Sequence, residues 1–333
     1  MSALRALLIL GVLAMSASAG VNRWTIIGPP ANVETMAVDP HNPQVLYAAW
    51  NGVVARSEDH GATWTSTPVL DLIWPSAIRV SVSIPSTVYV LGNTDVYQST
   101  TAGASWIKRK APASVGFPMD LQVDARNANV VVVSCWNFCF FGCSGGGVYR
   151  SQNGGESWKR IGLNDKNVTS VALDPASLQI LYAIADGKLY KTSNGGESWS
   201  EISPASGAMQ TVAVDAVIPT TIYASAESAG LFRSSDAGRS WELIRTSTFG
   251  GSVVAAAFGS RAVFTTAGGW ALSFDGGRTW HSLLSVNDSG LQLRNLSQIL
   301  VSPEACYQVA DIAAEDGHIL SYELQFPRRR AVR

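Results

Sequence analysis

The sequence predicts an all-β protein assembled from repeated four-stranded units, and three observations lead to this prediction. One octet of residues recurs six times, its copies are spaced by about 40 residues, and segments that alternate apolar and polar residues precede each copy. Alternation with a period of two is typical of strands with one buried face. Units of this length with four strands each are typical of the blades of a β-propeller.

The octet begins with Ser or Thr and closes with Trp, as in SQNGGESW and TSNGGESW. Its third residue is Asp or Asn in five copies, and such side chains accept backbone N–H bonds two residues on. Its fifth residue is always Gly, which suits a positive φ in a hairpin. We therefore interpret the third-position residues as structural: Asp59, Asn153, Asn194, Asp236 and Asp275. Thr101 takes this place in the second copy, where we expect a looser turn.

Each octet joins the third strand of its unit to the fourth. For the fourth copy, strands are predicted in residues 169–175, 179–185, 188–193 and 198–202. Three further strand segments follow the sixth octet, in residues 296–303, 306–314 and 318–323. The stretch 22–28 resembles the segment that follows each octet, so we expect it to supply the missing fourth strand. The prediction is a seven-bladed propeller of antiparallel blades, closed by the N-terminal strand, which leaves no open edge in the ring.

The octet S/T-x-D-x-G-x-S/T-W resembles the Asp-box, or BNR, repeat. That repeat is shared by sialidases, sortilin-type receptor ectodomains, xyloglucan-degrading glycoside hydrolases and the photosystem II assembly factor. The resemblance implies a β-propeller and covers almost all of the chain after its first residues. It does not choose among these functions. The Arg-Ile-Pro motif of sialidases is missing from the corresponding stretch WTIIGPP.

Residues 1–19 read as a signal peptide, with Arg5, an apolar run and the small residues Ala17-Ser18-Ala19. The apolar run is too short to span a bilayer. We therefore expect a secreted or periplasmic protein with a single propeller domain over residues 20–326, followed by a basic tail over 327–333. The net charge of −1 and the absence of a basic stripe argue against nucleic-acid binding. We expect a monomer without metal or cofactor.

Irregular sequence collects in the loops between second and third strands (B–C) and between successive blades (D–A). The longest insertion is the B–C loop of the third blade, residues 135–147, with three cysteines and four aromatic residues. In an exported protein these cysteines favour a disulfide, most simply between Cys135 and Cys143. The loop either displays its aromatic residues to a partner or folds them into a small core of its own.

Three groups of side chains are candidates on this irregular face. Aromatic side chains stack on sugars or pack on peptides, and Trp50, Trp74, Phe117, Trp136, Phe138, Phe140, Phe141 and Phe249 are the candidates for such contacts. Two arginines near the starts of first strands are candidates to line the central channel, namely Arg79 and Arg294. The acids of this face are Asp71, Asp165 and Asp288.

The leading hypothesis is a non-catalytic exported propeller that binds a protein or glycan partner on the irregular face. A glycoside hydrolase, sialidase-like or xyloglucanase-like, is the alternative, because two carboxylates about 5–10 Å apart can cleave a glycosidic bond. A second alternative is an assembly factor for a membrane complex, by resemblance to the photosystem factor.

Overall fold

In the computed structural model of the chain, the described residues are 24–26, 28–29, 33–42, 44–69, 71–112, 117–137, 145–247, 253–255, 263–265, 271–273, 275–282, 296–301, 307–314 and 319–325. Within them, all regular secondary structure is β-strand. The predicted signal peptide and basic tail lie outside these residues. None of the described segments forms a helix of the length and apolarity needed to cross a bilayer.

The strands pair into seven four-stranded antiparallel sheets in the described part of the chain, which we number from the first octet onward. Sheet 1 contains β2 (Thr35–Val38), β3 (Leu46–Trp50), β4 (Val53–Ser57) and β5 (Thr65–Pro68). Sheet 2 contains β6 (Ala77–Val80), β7 (Val88–Leu91), β8 (Asp95–Ser99) and β9 (Ile107–Lys110). Sheet 3 contains β10 (Phe117–Val123), β11 (Val131–Trp136), β12 (Gly147–Ser151) and β13 (Lys159–Gly162). Sheet 4 contains β14 (Val168–Asp174), β15 (Ser177–Ala185), β16 (Lys188–Thr192) and β17 (Ser200–Glu201).

Sheet 5 contains β18 (Met209–Val214), β19 (Ile222–Ala226), β20 (Gly230–Ser234) and β21 (Glu242–Thr246). Sheet 6 contains β22 (Val253–Ala255), β23 (Val263–Thr265), β24 (Ala271–Ser273) and β25 (His281–Ser282). Sheet 7 pairs β26 (Leu296–Val301), β27 (Tyr307–Ala314) and β28 (Ile319–Gln325) with β1 (Trp24–Ile26). The predicted four-stranded antiparallel unit is therefore confirmed. In sequence order we call the strands of a unit A to D; the A strands of neighbouring sheets contact one another, and the D strands are short.

The octets fold into one repeated turn. In the first copy, the Ser57 hydroxyl donates to Asp59 Oδ1 at 2.8 Å and accepts the Gly61 N–H at 2.8 Å. Asp59 then accepts the N–H and the hydroxyl of Thr63 at 2.8 and 2.6 Å. The fifth-position glycines all have positive φ, between 82° and 99°. In the first copy the side chains of the octet hold one another and the backbone of the turn.

The second octet corrects our expectation of a looser turn at Thr101. The Thr101 hydroxyl accepts the Ser105 N–H at 2.9 Å and contacts the Ser105 hydroxyl at 2.9 Å. Ser99 accepts the Gly103 N–H at 2.9 Å, as its counterparts do in the other copies. A single hydroxyl oxygen therefore takes the acceptor position that the carboxylate or amide oxygen holds in the other copies.

The octet tryptophans join neighbouring sheets. The indole N–H groups of Trp158, Trp199 and Trp241 donate to carbonyls of the preceding unit's fourth-strand region, at Lys110, Ile161 and Ile202 respectively, with distances of 2.8–3.0 Å. Trp64 and Trp106 donate instead to a glycine carbonyl of their own octet. The apolar cores lie between sheets in the same way: one cluster joins sheets 2 and 3, and another joins sheets 3 and 4.

A second repeated residue, which our sequence analysis did not identify, lies in the B strands. Tyr47, Tyr89, Tyr182 and Tyr223 occupy the same register position in sheets 1, 2, 4 and 5, and all four are fully buried. Each is directly opposite the residue that precedes its octet. In sheet 3 this position is occupied by Val132, opposite Arg150.

The packing around the octet glycine predicts a sharp difference between two alanine substitutions. Gly196 has φ +99°, and a Cβ there would overlap the carbonyl oxygen and side chain of Ile161, whereas Gly52 has φ +77° and open space around it. Gly52→Ala should cost about 1–2 kcal/mol through its left-handed backbone alone. Gly196→Ala should cost about 1–3 kcal/mol more through overpacking. Urea unfolding of both variants measures the difference, and equal losses would contradict this account of the octet glycine.

The octet carboxylates predict acid sensitivity. Burial alone would raise the pKa of Asp275, but hydrogen bonds from Thr279, Ser273 and Arg278 outweigh it and lower this pKa to about 2. Because the unfolded value is about 3.9, the stabilisation is present above pH 4 and is lost as the pH falls through 2. Asp275→Asn should therefore reduce the drop in melting temperature between pH 5 and pH 2.5. Asn153→Asp, which introduces a titrating group, should increase that drop.

Candidate functional site

The two ends of the sheets differ in character. Antiparallel order places the A–B turns and the octets at one end, which we call the octet face, and the B–C and D–A loops at the other, which we call the loop face. On the octet face the A–B turns repeat a single design, in which an aspartate side chain accepts the N–H groups that follow it. Asp124 accepts those of Arg126 and Asn127 at 3.0 Å, and Asp215 accepts those of Val217 and Ile218 at 2.9 Å. Repeated side-chain contacts make the octet face regular, and variation is found on the loop face.

The D–A loop at residues 69–76 is held between the B–C turns of sheets 1 and 2. Leu72 O accepts the Gly52 N–H at 2.8 Å, and Ile73 O accepts the Asn93 N–H at 2.8 Å. The Trp74 N–H donates to Asn51 Oδ1 at 2.5 Å. Trp74 is 65% exposed and has φ +45°. A tryptophan held in a left-handed backbone conformation is strained, and such strain is frequent at functional sites.

The base of the cysteine-containing loop is fixed to the next D–A loop. Asn167 Oδ1 accepts the Asn137 N–H at 3.1 Å, and Gly146 O accepts the Asp165 N–H at 3.0 Å. Arg160 donates to Asp165 at 3.0 Å and to Gly146 O at 3.3 Å. The interior of the loop, with the candidates Phe138, Phe140, Phe141 and Cys143, lies outside the described residues.

The structure corrects our account of Cys135. Cys135 and Trp136 belong to β11 and not to the loop, and the Cys135 side chain points into the core between sheets 2 and 3. Cys135 is a fully buried free cysteine, so the predicted disulfide with Cys143 is not formed in this structure. Burial raises the pKa of its thiol to about 12, which disfavours the reactive thiolate.

Phe117 and Trp136 form a cross-strand pair at the loop-face end of sheet 3. Phe117 begins β10, Trp136 ends β11, and the two residues are directly opposite in the register. Side chains that are directly opposite in an antiparallel pair point to the same side of the sheet, within contact distance. Phe117 is 39% exposed and Trp136 is 37% exposed. Sheet 3 therefore presents two half-exposed aromatic side chains together.

The remaining candidates differ in their surroundings. Trp50, at the end of β3, is half-buried and packs against the apolar cluster of sheet 1 that includes Met36. Arg79 forms an ion pair with Asp120 of the neighbouring A strand at 3.1 Å, and the second Asp120 oxygen accepts the Val171 N–H at 3.1 Å. Arg79 thus links the first strands of sheets 2, 3 and 4. Three candidates lie outside the described residues: Phe249, Asp288 and Arg294.

The two described candidate acids of the loop face, Asp71 and Asp165, are paired with cations. Lys108 Nζ lies 3.2 Å from Asp71 and 3.3 Å from Asp95, and the hydrogen bond to Asp71 chiefly raises the pKa of Lys108. Asp165 pairs with Arg160 at 3.0 Å. Asp71 and Asp165 belong to D–A loops two units apart along the chain. The described contacts therefore give both acids a role in holding loops.

Glu34 is a loop-face residue that our sequence analysis missed. It precedes β2, and burial raises the pKa of its carboxyl, partly offset by the hydrogen bond from the Asn51 N–H. Because Asn51 also holds Trp74, the carboxyl and the exposed indole are connected through one residue. The sequence signal was an acid immediately before an A strand, in the stretch NVETM. Among the described residues, no group of three or more His, Cys, Asp or Glu is arranged to hold a metal ion.

The four-stranded sheets, arranged with neighbouring A strands in contact, define a β-propeller, and solved structures of that class resemble the chain. YCF48 from Cyanidioschyzon merolae matches with a TM-score of 0.66 and 18% identity, over 92% of this chain and 98% of that one. The GH74 xyloglucanase from Xanthomonas campestris matches with a TM-score of 0.62 and 18% identity. That match covers 85% of this chain and 51% of the xyloglucanase, so the chain spans about half the enzyme.

A structure described as YCF48 bound to D1 peptide also matches, with a TM-score of 0.66 and 16% identity, over 94% of this chain and 99% of that one. Likeness at these identities establishes the fold alone. No protein-family model matches the chain. No curated protein matches it in sequence.

The strained backbone of Trp74 predicts opposite effects on stability and binding. Trp74→Asn should stabilise the fold by about 1 kcal/mol, because Asn tolerates a left-handed backbone and little apolar area is lost at so exposed a side chain. The same change should weaken any interaction that uses the indole. Thermal unfolding measures the first effect. Destabilisation by more than about 1 kcal/mol would mean that the indole supports the fold instead.

Proposed function

We propose that this chain is an exported, non-catalytic propeller that binds a protein or glycan partner on its loop face. The observation that carries the proposal is the display of Trp74, Phe117 and Trp136 at that face. Aromatic side chains bury a large area with few rotatable bonds, so they dominate binding energy at interfaces. Phe117 and Trp136 are held in paired strands, and the loop of Trp74 is fixed by hydrogen bonds to neighbouring turns, which lowers the entropic cost of binding.

The surroundings of the acids support binding over catalysis. Glycoside hydrolysis needs one carboxyl held protonated and a second carboxylate facing it across the bond. Asp71 and Asp165 are each held by a cation in separate loops. Glu34, whose pKa is raised by burial, is the best single acid for a hydrolase, and it defines the second candidate function. The similar structures include a xyloglucanase and a propeller with a bound peptide, so both ligand classes are compatible with this fold.

Turnover and binding assays on the same variants separate the two functions. Trp74→Ala combined with Trp136→Ala should weaken binding to glycans or to envelope proteins at least tenfold. Ile107→Ala and Leu243→Ala, which remove exposed side chains from outer strands, are the matched controls and should bind normally. If the protein hydrolyses xyloglucan or sialosides and Glu34→Gln abolishes this activity, the chain is a hydrolase and the proposed binding function is wrong.

The proposed propeller has seven blades and is closed by its N-terminal strand. In support, Trp24 pairs with Tyr322 and Ile26 with Leu320, and β2 lies beside β26 as well as β6. Deleting residues 21–27 should remove the fourth strand of sheet 7 and lower the melting temperature by several degrees. Deleting the tail at 327–333 is the control and should leave the melting temperature unchanged. Equal melting temperatures for both deletions would exclude closure by this strand.

A further inference from the structure

A groove of about 470 Å³ opens on the octet face between sheets 3 and 4. Sheet 3 contributes Arg150, Gln152, Trp158 and Lys159 to its walls, and the octet of sheet 4 contributes Glu197. The groove is on the opposite end of the sheets from the loop face. Two departures of sheet 3 from the other sheets determine the position and the charge of Arg150 in this groove.

The first departure is the missing tyrosine of sheet 3. In sheet 2 the Tyr89 hydroxyl donates to Ala128 O, in the A–B turn of the next sheet, at 2.9 Å. In the A–B turn of sheet 4, the carbonyl that corresponds to Ala128 O is Leu178 O, since each lies three residues before the B-strand residue that pairs with the first residue of the octet. Leu178 O accepts from Arg150 Nη2 at 2.9 Å. With Val132 in place of tyrosine, the guanidinium of Arg150 takes the contact that the Tyr89 phenol makes in sheet 2.

The second departure is the missing counter-charge of Arg150. The equivalent Arg233 pairs with Glu242 at 2.6 Å, and the equivalent Arg56 pairs with Glu58. The positions of these two glutamates are occupied in sheet 3 by Lys159 and Gln152, and Lys159 is directly opposite Arg150 in the register. Like charges directly opposite across strands are destabilising. In the described part of the chain, neither cation has an ion pair within 4 Å.

The guanidinium retains unused hydrogen-bonding capacity. Arg150 Nε is buried and has no hydrogen-bond partner in the described part of the chain. Burial lowers the pKa of Arg150, and the charge of Asp124 opposes this effect. That carboxylate is already held in its own turn by Arg126 and Asn127. An unmet charge in a partly buried groove is costly, so a ligand that supplies the counter-charge gains free energy on binding.

We propose that the groove between sheets 3 and 4 binds the carboxylate of a glutamate or aspartate side chain in an extended peptide. A carboxylate matches the planar guanidinium of Arg150 and the neighbouring ammonium of Lys159. The volume falls in the range of sites that hold small ligands, larger than one carboxylate needs. Trp158 lines the groove, and its N–H already donates to Lys110 O. The indole therefore offers a ligand only its apolar ring. Side-chain amides of Gln152 and Gln179 can bond to a peptide backbone. This site is independent of the function proposed for the loop face.

Calorimetry with a short peptide tests the site directly. Acetyl-Phe-Glu-Gly-amide is the probe, and acetyl-Phe-Gln-Gly-amide is its uncharged match. The glutamate peptide should bind at least tenfold more tightly than the glutamine peptide, and the difference should shrink at high salt. Equal binding of the two peptides, or no binding by either, would overturn the proposal. If acetate binds as tightly as the glutamate peptide, the groove recognises a carboxylate alone, and the proposal of a peptide ligand is wrong.

Four variants assign the binding to named residues. Arg150→Gln should lose at least tenfold in affinity for the glutamate peptide, whereas Arg56→Gln, at the paired position in sheet 1, should lose nothing. Glu197→Gln should strengthen binding by removing the one carboxylate that lines the groove. Lys159→Glu recreates the pairing of Arg233 with Glu242, so it should abolish binding and raise the melting temperature. A Lys159→Glu variant that still binds the glutamate peptide would show that the groove is not the site.

Discussion

The hydrogen bond from the glycine N–H of each octet to the hydroxyl of its first residue is the interaction on which the rest of this structure depends. Trp158, Trp199 and Trp241 each reach back to a carbonyl at the outer strand of the sheet before them. These three octets thus close a turn within their own sheet and also join that sheet to the one before it. Because the turn recurs in all six octets, the chain can vary its other loops without changing this end of the sheets.

This division explains where chemistry can be found in the molecule. Side chains that repeat from sheet to sheet use their hydrogen bonds within the fold, as the aspartates of the octets and A–B turns do. A side chain that departs from the repeat lacks the partners that its counterparts have in the other sheets, so it is available for other contacts. Val132 is such a departure in the core, since it replaces a buried tyrosine and leaves Arg150 without its usual neighbours. On the loop face, Trp74 departs from the repeat in its backbone as well as its side chain.

The sequence was sufficient to predict the strands and the octets, because both depend on contacts local in the chain. The predicted segment at 179–185, for example, falls within β15 (Ser177–Ala185). Contacts between distant residues were harder to predict. Cys135 was placed in a loop because it begins the longest insertion between octets, but its strand continues from Val131 and carries the thiol into the core. Burial in the folded chain raises the pKa of Glu34, and the hydrogen bond that partly offsets this rise comes from Asn51, 17 residues away, so no local pattern identifies it.

The short outer strands have a consequence for how the molecule behaves when it is crowded. The last strand of a sheet presents unpaired backbone groups, which can template the addition of another chain. Here β17 has only two residues, β9 reads IKRK and β5 ends in Pro68. A short strand and a missing N–H reduce the number of backbone groups available to a second chain, and the positive charges of β9 repel a second copy. We therefore expect these three edges to resist the addition of a strand from a second molecule when the protein is concentrated.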